Sequence, residues 1–165
     1  MTAEAEFVEL ATARGAALFR TALLLTGDWH AAEDLVQETL GKLYVHWARV
    51  RRADDPAAYA RTTLVRTFLS SRRRRSSSER PRPDPDPGGV SDGDAALRLT
   101  LLAALARLDP QDRTVLVLRY WEDLDASAAA ELLGCSASAV RTRSRRALAR
   151  LRDVLGGDLA ALSTG

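Results

Sequence analysis

Apolar side chains recur at helical spacing through most of the chain, and this pattern predicts helices. In the N-terminal half, the predicted helices cover residues 4–26 (one helix or a helix pair), about 29–47, and 56–71. The first should end at the Thr26-Gly27-Asp28 turn, and Gly15 is a weak point inside it. Asp55 before Pro56 supplies an N-cap and a first-turn proline for the third helix.

The C-terminal half continues the helical pattern. A helix over residues 94–108 is predicted to have an apolar side formed by Leu97, Leu101, Leu105 and Leu108. The next helix covers residues 110–121. Its side chains predicted to face the core are Val115, Leu118 and either Tyr120 or Trp121. Two further helices follow within residues 126–152, and Gly156-Gly157 is predicted to end the last one.

Residues 126–152 have the spacing of a helix-turn-helix. Ala130 is small enough to let two helices approach, Gly134 tolerates the positive φ that ends the first helix, and Val140 faces the core. Ser136 is placed to N-cap the second helix. The segment therefore predicts a DNA-binding unit.

A proline-rich stretch separates the two halves, with prolines at positions 81, 83, 85 and 87. Alternating prolines supply neither a helix nor a sheet ladder, so we expect an extended, flexible linker. Aromatic residues make up only 5% of the chain, which also favours helices over strands. The predicted fold is all-α, with a helical domain over residues 1–75, a linker over 76–95 and a helix-turn-helix domain over 96–165.

Positive charge is concentrated in blocks, although the net charge is only +2. Residues 72–82 hold six arginines and one glutamate, and residues 136–152 hold six arginines and no acidic residue. The arginines of the second block are Arg141, Arg143, Arg145, Arg146, Arg150 and Arg152. Such a helix suits the DNA major groove, where arginine reaches phosphates and guanine edges. The alternative is a solvated surface helix without a partner.

No pattern typical of catalysis or metal binding stands out. The chain lacks a glycine-rich phosphate loop, and His30 and His46 lack the close spacing of a helical metal pair. Cys135 is the only cysteine, which excludes an internal disulfide and a cysteine-based zinc site. We therefore expect neither an enzyme nor a cofactor. A chain without a long apolar run or a basic, apolar start is expected to be cytoplasmic and not inserted in a membrane.

The N-terminal half offers two further binding surfaces. The second predicted helix carries, away from its apolar stripe, Asp34, Gln37, Glu38 and Gly41. The third carries arginines beside Tyr59 and Phe68, and basic and aromatic groups together can hold phosphates and stack an unpaired base. The alternative is that both aromatic rings belong to the core, and we favour this for Phe68.

The chain resembles a bacterial extracytoplasmic-function (ECF) sigma factor of the minimal two-domain kind. Three segments carry the resemblance: GDWHAAEDLVQETLGKLYVHW, DPAAYARTTLVRTFLSSRRRR and LDPQDRTVLVLRYWEDLDASAAAELLGCSASAVRTRSRRALARLR. The arginine-rich and alanine-rich composition points to an actinobacterial source. The resemblance implies binding to core RNA polymerase, promoter recognition and transcription initiation, with an anti-sigma factor as a possible partner.

The resemblance also implies roles by position. It assigns polymerase docking to Asp34, Gln37, Glu38 and Gly41. It assigns melting and recognition of the −10 promoter element to Tyr59, Arg61, Thr62, Arg66, Arg72 and Arg73. It assigns recognition of the −35 element to Ser136, Ser138, Arg141, Thr142, Arg143, Arg145 and Arg146.

Two positions depart from the family pattern. Arg66 stands where the family often has an asparagine that helps to capture a flipped base, which bears on the −10 preference. Ala128-Ala129-Ala130 replaces a frequent Glu-Ile-Ala. The alternative function is a stand-alone helix-turn-helix regulator, which would explain residues 126–152 but leave the N-terminal half without a task.

Overall fold

The computed structural model describes residues 1–74 and 92–163, and all regular elements in these ranges are helical. The N-terminal half contains α1 (Ala3–Thr26), α2 (Trp29–Val45), α3 (Trp47–Val50) and α4 (Pro56–Arg74). The C-terminal half contains α5 (Asp92–Ala106), α6 (Pro110–Leu116), a π-helical turn (Val117–Trp121), α7 (Ala126–Leu133) and α8 (Ala137–Ser163). The all-α prediction is confirmed. α5 begins inside the stretch predicted as a linker, and the rest of that stretch lies outside the described residues.

The helix ends follow the capping signals in the sequence. Gly27 takes the left-handed conformation, with φ of 71°, and its N–H donates to the carbonyl of Leu23, which ends α1. The carboxylate of Asp28 then accepts the N–H of His30 at the start of α2. In the same way, the carboxylate of Asp55 accepts the N–H of Ala58 and starts α4.

The helix-turn-helix has the predicted geometry. Gly134 ends α7 with φ of 69°, and the hydroxyl of Ser136 accepts the N–H of Ala139 at 3.0 Å, which caps α8. Ala130 and Val140 are both buried between the two helices and the core. The sharp turn therefore fixes α8 against α7.

Several expectations for side-chain direction are wrong. Tyr120 and Trp121 are 61% and 52% exposed, because the π-helical turn adds a residue and rotates the side chains that follow it. Leu97 and Leu101 are also exposed, since α5 packs inward through Leu102 and Leu105 instead.

Two expected boundaries also differ. α2 ends at Val45, before the predicted boundary near residue 47, and the buried Trp47 and Val50 belong to a separate short helix, α3. α8 continues through Gly156 and Gly157, because glycine weakens a helix interior by only about 1 kcal/mol and needs another signal to end it.

A large cluster of buried side chains contains residues from both halves, and a smaller cluster of Leu105, Leu108, Leu116 and Ala147 lies within the C-terminal half. Leu64 and Phe68 of α4 belong to the same cluster as Val115 and Leu118, and Val140 of α8 joins it. Phe68 is therefore a core residue, as favoured. The two halves pack together directly through this cluster.

Arg113 links the two halves through main-chain carbonyls. Its guanidinium donates to Leu25 at the end of α1, to Leu105 and Ala106 at the end of α5, and to Leu108. Carbonyl groups at helix C-termini carry partial negative charge, so they solvate a cation that is only 3% exposed. Burial, with a smaller contribution from nearby Arg72, lowers the pKa of Arg113 to about 10, and Asp109 opposes that shift.

Candidate nucleic-acid interface

The first turns of α8 have a buried side and a basic exposed side. Val140, Ser144 and Ala147 are buried against the rest of the domain. All the arginines of this segment are exposed: Arg141, Arg143, Arg145, Arg146, Arg150 and Arg152. Ser138 and Arg145 lie on the side opposite the core, because residues seven apart share a face of a helix. Thr142, between them, is partly buried.

One edge of this basic surface is tied to α6. Asp112 is buried, and its carboxylate forms ion pairs with Arg143 and Arg150. Arg143 also donates to the side-chain oxygen of Gln111 at 3.1 Å. These contacts hold two of the arginines beside α6 rather than free in solvent.

An open cleft of about 920 Å³ lies between the start of α6 and the start of α8. Its lining is mainly polar and consists of Asp109, Gln111, Asp112, Ser136, Ser138, Ala139, Thr142, Arg143, Arg146 and Arg150. The two serines and Thr142 offer hydroxyl groups to the cleft, and Arg146 offers a guanidinium. This set can donate hydrogen bonds to phosphate oxygens or base edges.

The α4 residues assigned to the −10 element have different surroundings. Arg66 is exposed, whereas Tyr59 and Thr62 are half-buried. Arg61 Nη1 lies 3.5 Å from a carboxylate oxygen of Glu122, in the C-terminal half. The Arg72 guanidinium lies 5.5 Å from the ring centre of Phe68. The side chain of Arg73 lies outside the described part of the structure.

The α2 residues assigned to polymerase docking share one exposed face. Asp34, Gln37, Glu38 and Gly41 are all exposed, and their spacing places them along one side of the helix. A Cβ added at Gly41 would meet nothing within 4 Å, so the chain itself does not require glycine there. Lys42 pairs with Glu38 at 3.5 Å and donates to Thr67 of α4 at 3.1 Å, which braces this face.

Sequence reasoning missed Asp112, Gln111 and Glu122 as contributors to these surfaces. Asp112 follows the N-cap Asp109 by three residues, a position that indicates only a first-turn carboxylate. No sequence signal links it to arginines more than thirty residues away. Across residues 1–74 and 92–163, no cluster of three or more His, Cys, Asp or Glu residues could hold a metal ion. No helix in the same ranges has the length and apolar character needed to span a membrane.

Known families match both halves of the chain. Sigma-70 region 2 matches residues 10–78, and Sigma-70 region 4 matches residues 98–151. The RNA polymerase sigma-E factor of Streptomyces antibioticus is 36% identical, over 91% of this chain and 84% of the relative. The ECF RNA polymerase sigma factor SigL of Mycobacterium tuberculosis is 32% identical, over 83% and 81% of the two chains. The chain belongs to the ECF RNA polymerase sigma factors.

The fold agrees with this assignment. The sigma factor RpoE of Bartonella quintana, solved in complex with the anti-sigma factor NepR, superposes with a TM-score of 0.74 at 25% identity. The match covers 92% of this chain and 97% of that one. This sigma factor acts with core RNA polymerase in promoter recognition and transcription initiation. The stand-alone regulator is therefore not the function, and the homologues named above include actinobacterial proteins, as the composition indicated.

Proposed function

We propose that this sigma factor divides promoter recognition among three of its helices. α2 docks on core RNA polymerase, α4 melts and recognises the −10 element, and α8 recognises the −35 element. The corresponding domains are residues 1–75 and a C-terminal helix-turn-helix domain, which the sequence placed at 96–165 and to which we add the start of α5 at Asp92. The observation that carries this proposal is the exposed basic side of α8, whose opposite side is buried in the core.

The geometry of α8 supports recognition of duplex DNA. Ser138 and Arg145 face away from the core, the partly buried Thr142 lies between them along the helix, and Arg141 and Arg146 flank them. A helix inserted in the major groove contacts base edges with residues of its first turns. Serine, threonine and arginine supply the hydrogen bonds that distinguish base pairs there.

The surroundings of α4 support a role in which Arg61 exchanges its protein partner for DNA. Arg61 is paired with Glu122, so its guanidinium contacts DNA only after this pair opens. Arg66 and Tyr59 supply a cation and an aromatic ring to unpaired bases. Because unstacking costs a few kcal/mol per base step, contacts with polymerase must contribute to opening the duplex.

The exposed face of α2 supports docking on the polymerase. Its carboxylates and amide are positioned by a helix whose other side is buried, so the face is presented rigidly. We assign no catalytic step to the protein itself and propose that it acts in the cytoplasm, where its DNA is. An anti-sigma factor, present in the complex of the Bartonella quintana relative, is a further proposed partner.

Two assays test the proposal. Purified protein mixed with core RNA polymerase should co-migrate in gel filtration, and the complex should give run-off transcripts from members of a promoter library. Asp34→Ala with Gln37→Ala should weaken co-migration while helical content is unchanged. Glu9→Ala, which removes the same net charge from an exposed position of α1, serves as the control. Equal co-migration of both variants would place the docking face elsewhere.

A further inference from the structure

A buried carboxylate of α6 contacts two arginines of α8. Asp112 is only 6% exposed, and its Oδ1 lies 3.9 Å from Nε of Arg143, while its Oδ2 accepts a hydrogen bond from Nη1 of Arg150. Because the two arginines are seven residues apart, they lie on the same face of α8 and reach one carboxylate. The side-chain oxygen of Gln111 also accepts a hydrogen bond from Nη1 of Arg143, at 3.1 Å.

These contacts divide the arginines of α8 into two sets. Within the part of the chain that the structure describes, Arg141, Arg145 and Arg146 are not paired with a carboxylate. Arg143 and Arg150 are held at the edge that faces α6, although their side chains are 45% and 59% exposed. An arginine paired in this way keeps less of the rotamer freedom that would let it follow a phosphate. It also gives up its ion pair when it moves to DNA.

We propose that Asp112 is a positioning residue for recognition of the −35 element. By pairing with Arg143 and Arg150, it restrains two cations from contacting the phosphates of any DNA sequence. Phosphate contacts add affinity without sequence information, whereas base contacts distinguish sequences. Restraint of two cations therefore raises the ratio of specific to non-specific binding. This inference rests on the proposed role of α8.

The test compares two isosteric substitutions on α6. Asp112→Asn removes the charge that pairs with the arginines and keeps the shape of the side chain. Asp109→Asn is the matched control, because it removes the same charge from the same turn and asparagine still accepts the N–H of Gln111 as an N-cap. Circular dichroism verifies that each full-length variant retains its helical content.

Fluorescence anisotropy over a salt series measures binding to two duplex oligonucleotides. One carries the upstream element that wild-type holoenzyme selects from a random pool, and the other is its scrambled sequence. Relative to Asp109→Asn, Asp112→Asn should lower the affinity ratio of the two duplexes by roughly three- to tenfold. On the scrambled duplex, Asp112→Asn should also steepen the slope of the logarithm of the binding constant against the logarithm of the salt concentration. The expected change in this slope is about 0.9 for each arginine released.

Removal of the released cations provides a second measurement. Addition of Arg143→Gln and Arg150→Gln to Asp112→Asn should return the salt slope to the wild-type value or below. A steep slope that persists in the triple variant would overturn the proposal, as would equal affinity ratios for Asp112→Asn and Asp109→Asn. If wild-type holoenzyme selects no upstream element, the proposed role of α8 fails. If selection succeeds but the two variants behave alike, only the positioning role of Asp112 fails.

Discussion

Glu122 of the C-terminal half pairs with Arg61 of α4 across the junction between the two halves. One carboxylate oxygen lies 3.5 Å from Nη1 of Arg61, and the other accepts the hydroxyl of Thr21 on α1 at 2.5 Å. Glu122 directly follows the π-helical turn, which is a local departure of the kind often found at functional positions. A single side chain therefore contacts α1 and a residue proposed to bind the −10 element.

Glu122→Gln is predicted to release Arg61 for DNA. One additional phosphate contact steepens the slope of the logarithm of the binding constant against the logarithm of the salt concentration by about 0.7 for single-stranded DNA. Anisotropy with a labelled single-stranded oligonucleotide, over a salt series, measures this slope. Asp123→Asn is the control, since Asp123 is exposed, carries the same charge and has φ of 54°, which asparagine tolerates. An identical slope in both variants would mean that Arg61 gains nothing from losing its partner.

Arg113→Met is predicted to destabilise the protein by about 3–5 kcal/mol, because several buried carbonyl groups would lose their hydrogen-bond donor at once. Urea unfolding, followed by circular dichroism, measures the free energy of unfolding. Arg119→Met is the control, because Arg119 donates to a single carbonyl, that of Leu124, within the C-terminal half. Its expected cost is about 1 kcal/mol. Equal losses in the two variants would contradict the linking role of Arg113.

The pH dependence of this difference follows from the lowered pKa of Arg113. The folded pKa is about 10, below the ordinary arginine pKa expected in the unfolded chain, so the unfolded state binds more protons only in the pH window between these two pKa values. In that window, the contribution of Arg113 to the unfolding free energy rises with pH. Below about pH 10, the guanidinium is charged in both the folded and the unfolded state. The stability difference between wild type and Arg113→Met should therefore be constant between about pH 6 and 9.

Gly41→Ala is predicted to separate stability from function. An alanine at this open position of α2 should stabilise the helix by roughly 0.5–1 kcal/mol. If polymerase packs closely on this face, the added methyl group should nevertheless weaken co-migration with core enzyme. Gly15→Ala is the matched control, because Gly15 also lies inside a helix with nothing within 4 Å of an added Cβ. Stabilisation of both variants with undiminished polymerase binding would argue against close packing at Gly41.

Arg141→Ala is predicted to cost roughly 1–3 kcal/mol on the cognate upstream element if its guanidinium contacts a base. The loss on a scrambled duplex should be smaller. Arg152→Ala is the control, because it removes the same charge from the same side of α8, about 16 Å further along the helix. It should weaken binding to both duplexes by the same factor. Competition binding measures both affinities. A uniform loss for Arg141→Ala, with a salt slope reduced by about 0.9, would mean that Arg141 contacts phosphate only.

Local signals in the sequence were sufficient for most helix boundaries. The caps formed by Asp28, Asp55, Asp109 and Ser136 each involve a hydrogen bond to an N–H two or three residues away, so neighbouring residues decide them. Apolar spacing also identified the buried side of α2. Apolar spacing gave a wrong prediction for Tyr120 and Trp121, because the extra residue of the π-helical turn rotates both side chains into solvent.

The sequence alone determined the all-α fold, the helix-turn-helix, the basic surface of α8 and the family, because these depend on periodicity, capping and motif order within short segments. The tertiary structure alone decided which polar groups meet. Arg113 and Leu25 are 88 positions apart, and Asp112 reaches Arg150 from another helix. Periodicity indicates that one side of a helix is buried, but not which helix covers it. The partner of a polar side chain therefore emerges only when the helices pack.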